Sequence, residues 1–351
     1  MGRIFIRCDG GHGDGLGHVV RCVTLAHALR DCGADVRFLT WSPDGIARSI
    51  VARNGFSVED SPAPAAHVDD LAFVVDRLSQ ETARPQIVLD SRSIENGYVA
   101  ACASVAFVAC IDDDLERDLP CNILINNNVW ATGADYDPRP NRRLLLGAQY
   151  NLVKSAYFEA SEEHERGRIQ VLLTMGGEDP FDQTSRLIKV LRNTLAACEL
   201  TVIVGPAHPN PDSVLHTARK NSPLAEVVIA PTDLTAPIAR ADLAITAGGT
   251  TCYELAAGGV AQAALILDDH QEPLVRAMVE HGCMIRLGRY DGLDVESARR
   301  KVADLVTSAM ARRALAEAGR KLFDMPGAPR TAAALLDIAV PGSTEVRPSP
   351  V

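Results

Sequence analysis

The residues best suited to chemistry stand near the N-terminus. The run Asp9-Gly10-Gly11-His12-Gly13-Asp14-Gly15-Leu16-Gly17-His18 holds five glycines and ends on a histidine. Glycines let the backbone come close to a ligand and take up positive φ. A histidine at the end of such a run can take a proton near neutral pH. The flanks say how it would be held. Residues 3–8, with Ile4, Phe5 and Ile6 at their centre, read as a short buried strand. Residues 19–32 place Val20, Val23, Leu25, Ala26 and Leu29 on one helical stripe. A strand feeding a helix through a glycine turn leaves free N–H groups that favour negative charge. A tight turn with an incidental histidine has the same spacing, so the rest of the chain must decide.

The elements around this turn alternate. Strands are expected at residues 3–8, 35–39, 86–89, 104–111 and 123–126, with helices at 19–32, 43–54 and 68–81. Such alternation implies a mostly parallel sheet covered by helices, with ligands outside the carboxyl ends of the strands. Four strands run into polar residues there: Asp9, then Asp90-Ser91-Arg92, then Asp112-Asp113-Asp114, then Asn126-Asn127-Asn128. Arg92 could hold a carboxylate or phosphate with a bidentate pair, or form a surface salt bridge. The acidic triplet reads as a metal site or, more simply, as a solvated strand end.

A proline-rich, charged loop at 135–143 and a polar stretch at 159–168 precede a second alternating half. Strands are expected at 169–174, 200–204, 226–229, 241–246 and 261–267, and helices at 184–197, 295–310, 312–322 and 330–339. The domains are therefore drawn at 1–150 and 151–340, with a proline-containing, disordered tail at 341–351. Two turns in the second half permit close approach. Gly176-Gly177 follows a strand, with Glu178 and Asp179 either caps of the next helix or part of a site. Ala247-Gly248-Gly249-Thr250-Thr251 opens a helix and lacks the lysine of a Walker-type loop. Glu254, one turn on, could accept hydrogen bonds from ribose hydroxyls or complete a capping box with Thr251. His270 and Gln271 either face a ligand or cap a helix.

Composition narrows the class. The 351 residues are 47% hydrophobic and 23% charged, with a formal net charge of −10. That charge speaks against nucleic acid and anionic membranes as partners. No apolar run approaches the roughly 18–20 residues of a membrane span. The chain enters a strand almost at once, so no signal peptide and a cytoplasmic location are expected. Nine cysteines without C-x-x-C spacing read as reduced thiols, with Cys22, Cys102 and Cys110 as small core residues. Oligomeric state has no signature in the sequence.

Together these segments resemble a known family. Arg7 through Gly11, Gly15 through Cys22, Asp112 through Asp114, Asn126 through Asn128, Gly147 through Tyr150, Thr174 through Pro180 and Gly248 through Glu254 are similar to the nucleotide-sugar hydrolases of pseudaminic acid biosynthesis. The same segments resemble the spore-coat polysaccharide proteins, relatives of the MurG-type glycosyltransferases. The resemblance implies a GT-B fold, two Rossmann-like domains facing a cleft. It implies UDP in the C-terminal domain: Glu254 on the ribose, Gly248, Gly249, Thr250 and Thr251 on the diphosphate, and the backbone near Ile229 on the uracil. Gly17, Gly176 and Gly177 would join the donor site. Asp9, Arg92, Asn128 and Gln271 would face sugar or acceptor, and His18 would be the general base. Neither metal nor cofactor is implied, the UDP-sugar being a substrate.

One departure matters. The hydrolases carry a His-Tyr pair after the strand-ending aspartate, whereas here Asp90 is followed by Ser91-Arg92-Ser93. An arginine there suits a carboxylate-bearing sugar. The expected activity is therefore inverting glycosyl transfer from a UDP-sugar, in its narrowest form from UDP-glucuronic acid to cytosine, as in the cytosylglucuronic acid synthases of nucleoside-antibiotic pathways. Hydrolysis is the second reading and a non-catalytic UDP-sugar-binding protein the third.

Overall fold

The computed structural model describes residues 3–10, 16–113, 115, 118–159, 167–222 and 224–338. The first half contains β1 (Ile4–Cys8), α1 (Gly17–Asp31), β2 (Val36–Thr40), α2 (Ile46–Arg53), β3 (Ser57–Asp60), α3 (Val68–Ser79), β4 (Gln86–Asp90), α4 (Asn96–Val105), β5 (Phe107–Ile111), β6 (Ile123–Asn126) and β7 (Arg143–Leu146). The second contains α5 (Ala156–Glu159), β8 (Gln170–Thr174), α6 (Gln183–Leu195), β9 (Glu199–Val204), α7 (Pro211–Asn221), β10 (Glu226–Ile229), α8 (Thr235–Arg240), β11 (Leu243–Ala247), α9 (Thr251–Ala257), β12 (Ala261–Ile266), α10 (Glu272–Glu280) and β13 (Met284–Arg289). Helices α11 (Val295–Thr307), α12 (Ala309–Leu322) and α13 (Ala328–Ile338) close the chain.

Every strand pairing is parallel. The first sheet runs β3-β2-β1-β4-β5-β6-β7 and the second β10-β9-β8-β11-β12-β13. Parallel sheets need cover on both faces, and the first sheet has it. Ile4, Ile6 and Cys8 of β1 pack with α1, α2 and α13, while Phe5 packs with α3 and α4. Arg7 takes the next slot on that second face, where alternation calls for an apolar side chain, and is completely buried. It is tolerated because Asp9 and Asp70 both pair with it.

In each sheet the order reverses about its first strand, β1 in one and β8 in the other. A doubly wound sheet opens a crevice at that point, beyond the carboxyl ends of the strands. The β1/β4 ends therefore define one candidate site, and the β8/β11 ends the other.

The chain divides into two compact units. The first is built from the segment ending at Asn127, from Ala131–Leu152 and from the chain beyond Gly327; the second comprises Asn128–Trp130 and Val153–Pro326. This corrects the expected domain limits, because α13 belongs to the first unit and not to the second. Ala328, Ala332, Ala334 and Leu335 are buried in the core that α1 forms, and Gln86 Nε2 donates to the Leu335 carbonyl at 2.8 Å. Gly327 permits the return, since a Cβ there would stand 2.2 Å from the Asn151 nitrogen. The tail expected at 341–351 and most of the bridge expected at 159–168 lie outside the described residues.

Candidate active site

In the first unit, α1 begins two residues earlier than its apolar stripe suggests, so Gly17 and His18 form its first turn. Residues 11–15 of the glycine run lie outside the described residues. Gly17 is exposed with open space around its Cα. His18 is part-buried, its side chain 18% exposed, and its Nδ1 lies 2.7 Å from Oδ1 of the fully buried Asp90. Asp90 ends β4, which pairs with β1 in the register Cys8 to Asp90. That pairing brings together two residues 72 positions apart. Asp90 also accepts from Arg21 Nε at 2.7 Å, Arg21 Nη2 at 2.5 Å and Cys22 Sγ at 3.2 Å. Arg21 reaches Asp113 as well, at 2.9 and 2.8 Å.

The electrostatics follow from these contacts. Burial alone would push the Asp90 carboxyl up, but Arg21 and His18 outweigh it and hold it well below the usual carboxylate range. Burial likewise opposes Asp113, and Arg21 wins there too. Asp90 is thus an ionised acceptor fixed against Nδ1 of His18. A histidine that donates from Nδ1 presents an unprotonated Nε2, the form a general base needs. The sequence offers no role for Arg21 and only a metal site or a solvated strand end for Asp113; Asp90 is visible as a strand-end aspartate, but its partner requires the sheet order.

The other residues expected on this side divide. Asp9 does not face a ligand: it pairs with Arg7, and its two oxygens accept the backbone N–H of Trp41 and of Ala65, both at 2.8 Å. It ties the loops after β2 and β3 to β1. The acidic triplet is split in use, Asp112 accepting from Tyr136 Oη at 3.0 Å and Asp113 from Arg21, with Asp114 outside the described residues. Arg92 is exposed two residues beyond Asp90.

In the second unit, Gly176 has φ +83° and stacks tightly on the end of β9. A Cβ at Gly205 would lie 2.3 Å from the carbonyl oxygens of both Gly176 and Gly177. Gly177 and Glu178 are exposed. Asp179 is buried and caps α6, accepting from Gln183 N at 2.7 Å and Thr184 N at 2.8 Å. Buried His208 points Nε2 toward Asp179 and Asp182 at 3.6 and 3.7 Å. Its Nδ1 accepts from Asn210 N at 3.0 Å, so the ring hydrogen sits on Nε2 and faces the carboxylates. A protonated nitrogen does not ligate a metal, and the trio reads as a loop clamp.

The turn after β11 is the second unit's other close-approach point. Gly248 is buried so tightly that a Cβ would lie 2.5 Å from Val275 Cγ2, whereas Gly249 has nothing within 4 Å. Thr250 is exposed and Thr251 half-buried. Helix α9 has no side-chain cap, so the capping box that would have explained Glu254 does not form. Glu254 is instead part-buried near Lys154, Asp233 and Tyr157. Burial pushes its carboxyl up to about 7, against the pull of the Lys154 ammonium and with a further push from Asp233. Ile229 ends β10 with 44% of its surface exposed.

Two residues expected at the sugar brace the turn and the helix after it. Gln271 Oε1 accepts from Gly248 N at 3.1 Å and Leu267 N at 3.0 Å, fixing the turn from behind. Asn128 Oδ1 accepts from Tyr253 Oη of α9 at 2.9 Å, so Asn128–Trp130 cluster with the second unit. His270 is exposed, in a helical turn capped by Asp268.

No protein-family model matches the chain. It is 22% identical to the spore coat polysaccharide biosynthesis protein SpsG of Bacillus subtilis, over 95% of this chain and 97% of that protein. It is 18% identical to the UDP-2,4-diacetamido-2,4,6-trideoxy-β-L-altropyranose hydrolase of Campylobacter jejuni, over 59% of this chain and 71% of that one. Among solved structures, MurG of Acinetobacter baumannii matches with TM-score 0.65 and 13% identity, over 95% of this chain and 99% of that chain. HepE of Anabaena, solved with UDP and glucose, matches with TM-score 0.60 and 13% identity, over 96% of this chain and all of that chain. The fold is that of the GT-B glycosyltransferases, and the chain is similar in sequence to proteins of spore-coat polysaccharide and UDP-sugar metabolism.

Proposed function

We propose that this chain is an inverting glycosyltransferase that uses a UDP-sugar, with His18 as general base. The observation that carries the reading is the His18–Asp90 pair at a sheet switch point, which leaves Nε2 of His18 able to accept a proton. In the reaction, His18 Nε2 takes the proton of the acceptor as the acceptor atom bonds to the anomeric carbon. The bond from that carbon to the diphosphate oxygen breaks, and its electron pair leaves with UDP. The N–H groups of Gly249, Thr250 and Thr251, beside the open space at Gly249, take the diphosphate charge in place of a metal ion, while Gln271 holds the Gly248 N–H. The Gly176-Gly177 turn lies beyond the neighbouring strand of the same sheet. Glu254 accepts from the ribose hydroxyls, and the chain at Ile229 borders the uracil.

The narrowest form of the reading takes UDP-glucuronic acid as donor and cytosine as acceptor. Exposed Arg92 would then pair with the sugar carboxylate. The similarity to a UDP-sugar hydrolase supports a second reading, in which water is the acceptor and the same histidine the base. A protein that only binds UDP-sugars has no use for a histidine oriented by a buried carboxylate, and is disfavoured.

UDP release from a panel of UDP-sugars, with and without cytosine, separates these readings. Release that needs both UDP-glucuronic acid and cytosine establishes the narrow form. Fast release in water alone from an amino-deoxy UDP-sugar establishes the hydrolase. Release from no donor with any acceptor leaves the binding protein.

A further inference from the structure

We propose that Arg21 is a positioning residue for His18, fixing its tautomer and the charge around it, and that Asp113 anchors Arg21 in that role. The inference rests on His18 being the base and deepens that reading.

The geometry is a matter of counting hydrogens. Arg21 Nη2 has two, and two carboxylate oxygens claim them: Asp90 Oδ1 at 2.5 Å and Asp113 Oδ2 at 2.8 Å. Arg21 Nε goes to Asp90 Oδ2 and Nη1 to Asp113 Oδ1. One guanidinium thus holds both carboxylates by two bonds each, which its planar fork allows and an ammonium does not. Nδ1 of His18 lies 3.0 Å from Nη2, which has no hydrogen left to give it. A lone pair on Nδ1 would find no donor there, whereas a hydrogen on Nδ1 finds Asp90 Oδ1 at 2.7 Å. Arg21 therefore forces the hydrogen onto Nδ1 and leaves Nε2 bare. Asp90 is saturated in turn, with His18 and Arg21 on Oδ1 and Arg21 and Cys22 on Oδ2.

The charges point the same way. Among the described residues, the charged groups around His18 are Arg21 from its own helix, Asp90 from β4 and Asp113 just beyond β5, with Cys22 of the same helix on Asp90. Cys8 of β1 lies behind, against Cys22. With the thiols neutral, one cation and two anions give a net charge of −1 around a neutral imidazole. Taking a proton brings the cluster to zero. Without the Asp113 charge the same step would end at +1 in a largely buried site, making His18 a weaker base. Without the Arg21 charge the cluster starts at −2 and the same step ends at −1.

The single changes therefore move the acid limb of the turnover profile in opposite directions, down in pH for Asp113→Asn and up for Arg21→Gln. Arg21→Gln strands two buried carboxylates and is at risk of misfolding. The decisive variant is the double change, Arg21→Gln with Asp113→Asn, which returns the net charge to −1 but removes the fork. Two readouts are taken: turnover with the most active UDP-sugar, and the ¹⁵N spectrum of labelled histidine, in which His18 is assigned by its loss in His18→Ala. The expected result is a mixture of His18 tautomers in the double variant, at least tenfold lower kcat and a donor KM within twofold of the parent. A single Nδ1–H tautomer with parental kcat in the double variant would overturn the role of Arg21. Full turnover in His18→Ala would instead remove the base reading itself, whatever the Arg21 variants do.

Discussion

Asp90 Oδ1 and His18 Nδ1 stand 2.7 Å apart although 72 residues separate them, because β4 and β1 are neighbours on either side of a sheet reversal. The strand supplies a buried anion and the helix a part-buried ring. Neither needs the ligand to hold its place.

Asp90→Asn keeps the shape of the side chain and removes its charge. The amide can offer Nδ1 a donor as easily as an acceptor, so the tautomer is no longer fixed. A base step is worth about 10²–10⁴ in rate, and kcat should fall by that range with UDP affinity unchanged. Steady-state kinetics beside a UDP titration check this.

Glu254 makes UDP binding depend on pH. Its carboxyl, pushed up to about 7 by burial, keeps a proton to higher pH than an ordinary carboxylate in the unliganded protein. Ribose hydroxyls donate to the ionised form, so binding releases a proton. Affinity should rise as pH increases through 7, with at most about a tenfold gain per pH unit on the acid side. Glu254→Gln should bind UDP more weakly and flatten the profile. Calorimetry in buffers of different ionisation enthalpy counts the proton directly. A flat profile in the parent protein contradicts the ribose assignment.

The raised Glu254 value also fixes a sign for stability without ligand. The folded state binds the extra proton more tightly, so this contribution is complete below about pH 4.5 and is lost as pH rises through 7. Asp90 and Asp113 act in the opposite direction. Their stabilisation is present above the ordinary carboxylate range and is lost as pH falls below it. Acid unfolding of Asp113→Asn should therefore be shallower than that of the parent, as melting curves across pH 2–5 would show.

Two glycines separate folding from binding. Gly205→Ala would drive a Cβ into the carbonyls of Gly176 and Gly177. The backbone must move, at a cost of at least about 1–3 kcal/mol, and the melting temperature should drop. Gly249→Ala meets nothing within 4 Å, so stability should stay within about 0.5 kcal/mol. If the diphosphate rests on that turn, the new methyl group lies where it must approach, and UDP affinity should fall at least tenfold. Unchanged affinity in Gly249→Ala would remove the turn from the donor site.

The sequence revealed the central strands and the edge strand β10, and missed the other three edges, β3, β7 and β13. β1, β6 and β10 stand close to where their apolar runs place them, as does the helix after Gly249. β3 was lost because Ser57-Val58-Glu59-Asp60 is an edge strand with one apolar side chain. α4 was lost because its small residues, Ala100 through Val105, run without a break into β5, and the last two of them fall within the expected strand. Among the candidate site residues, His18 was named from its glycine turn and Glu254 from its place after a second turn. The partners Asp90 and Arg21 were not, because each acts through a contact that only the sheet order creates, and Gln271, named for the sugar, holds the turn from behind. Asp9 misled for the same reason: a strand-end carboxylate looks available until the buried Arg7 beside it is known to claim it.

The most direct test of the account is His18→Ala, measured for turnover and for UDP affinity on the same preparation. If His18 is the base, kcat falls by about 10²–10⁴ with UDP affinity within twofold of the parent. Parental turnover, or a loss of UDP affinity as large as the loss of turnover, would contradict it.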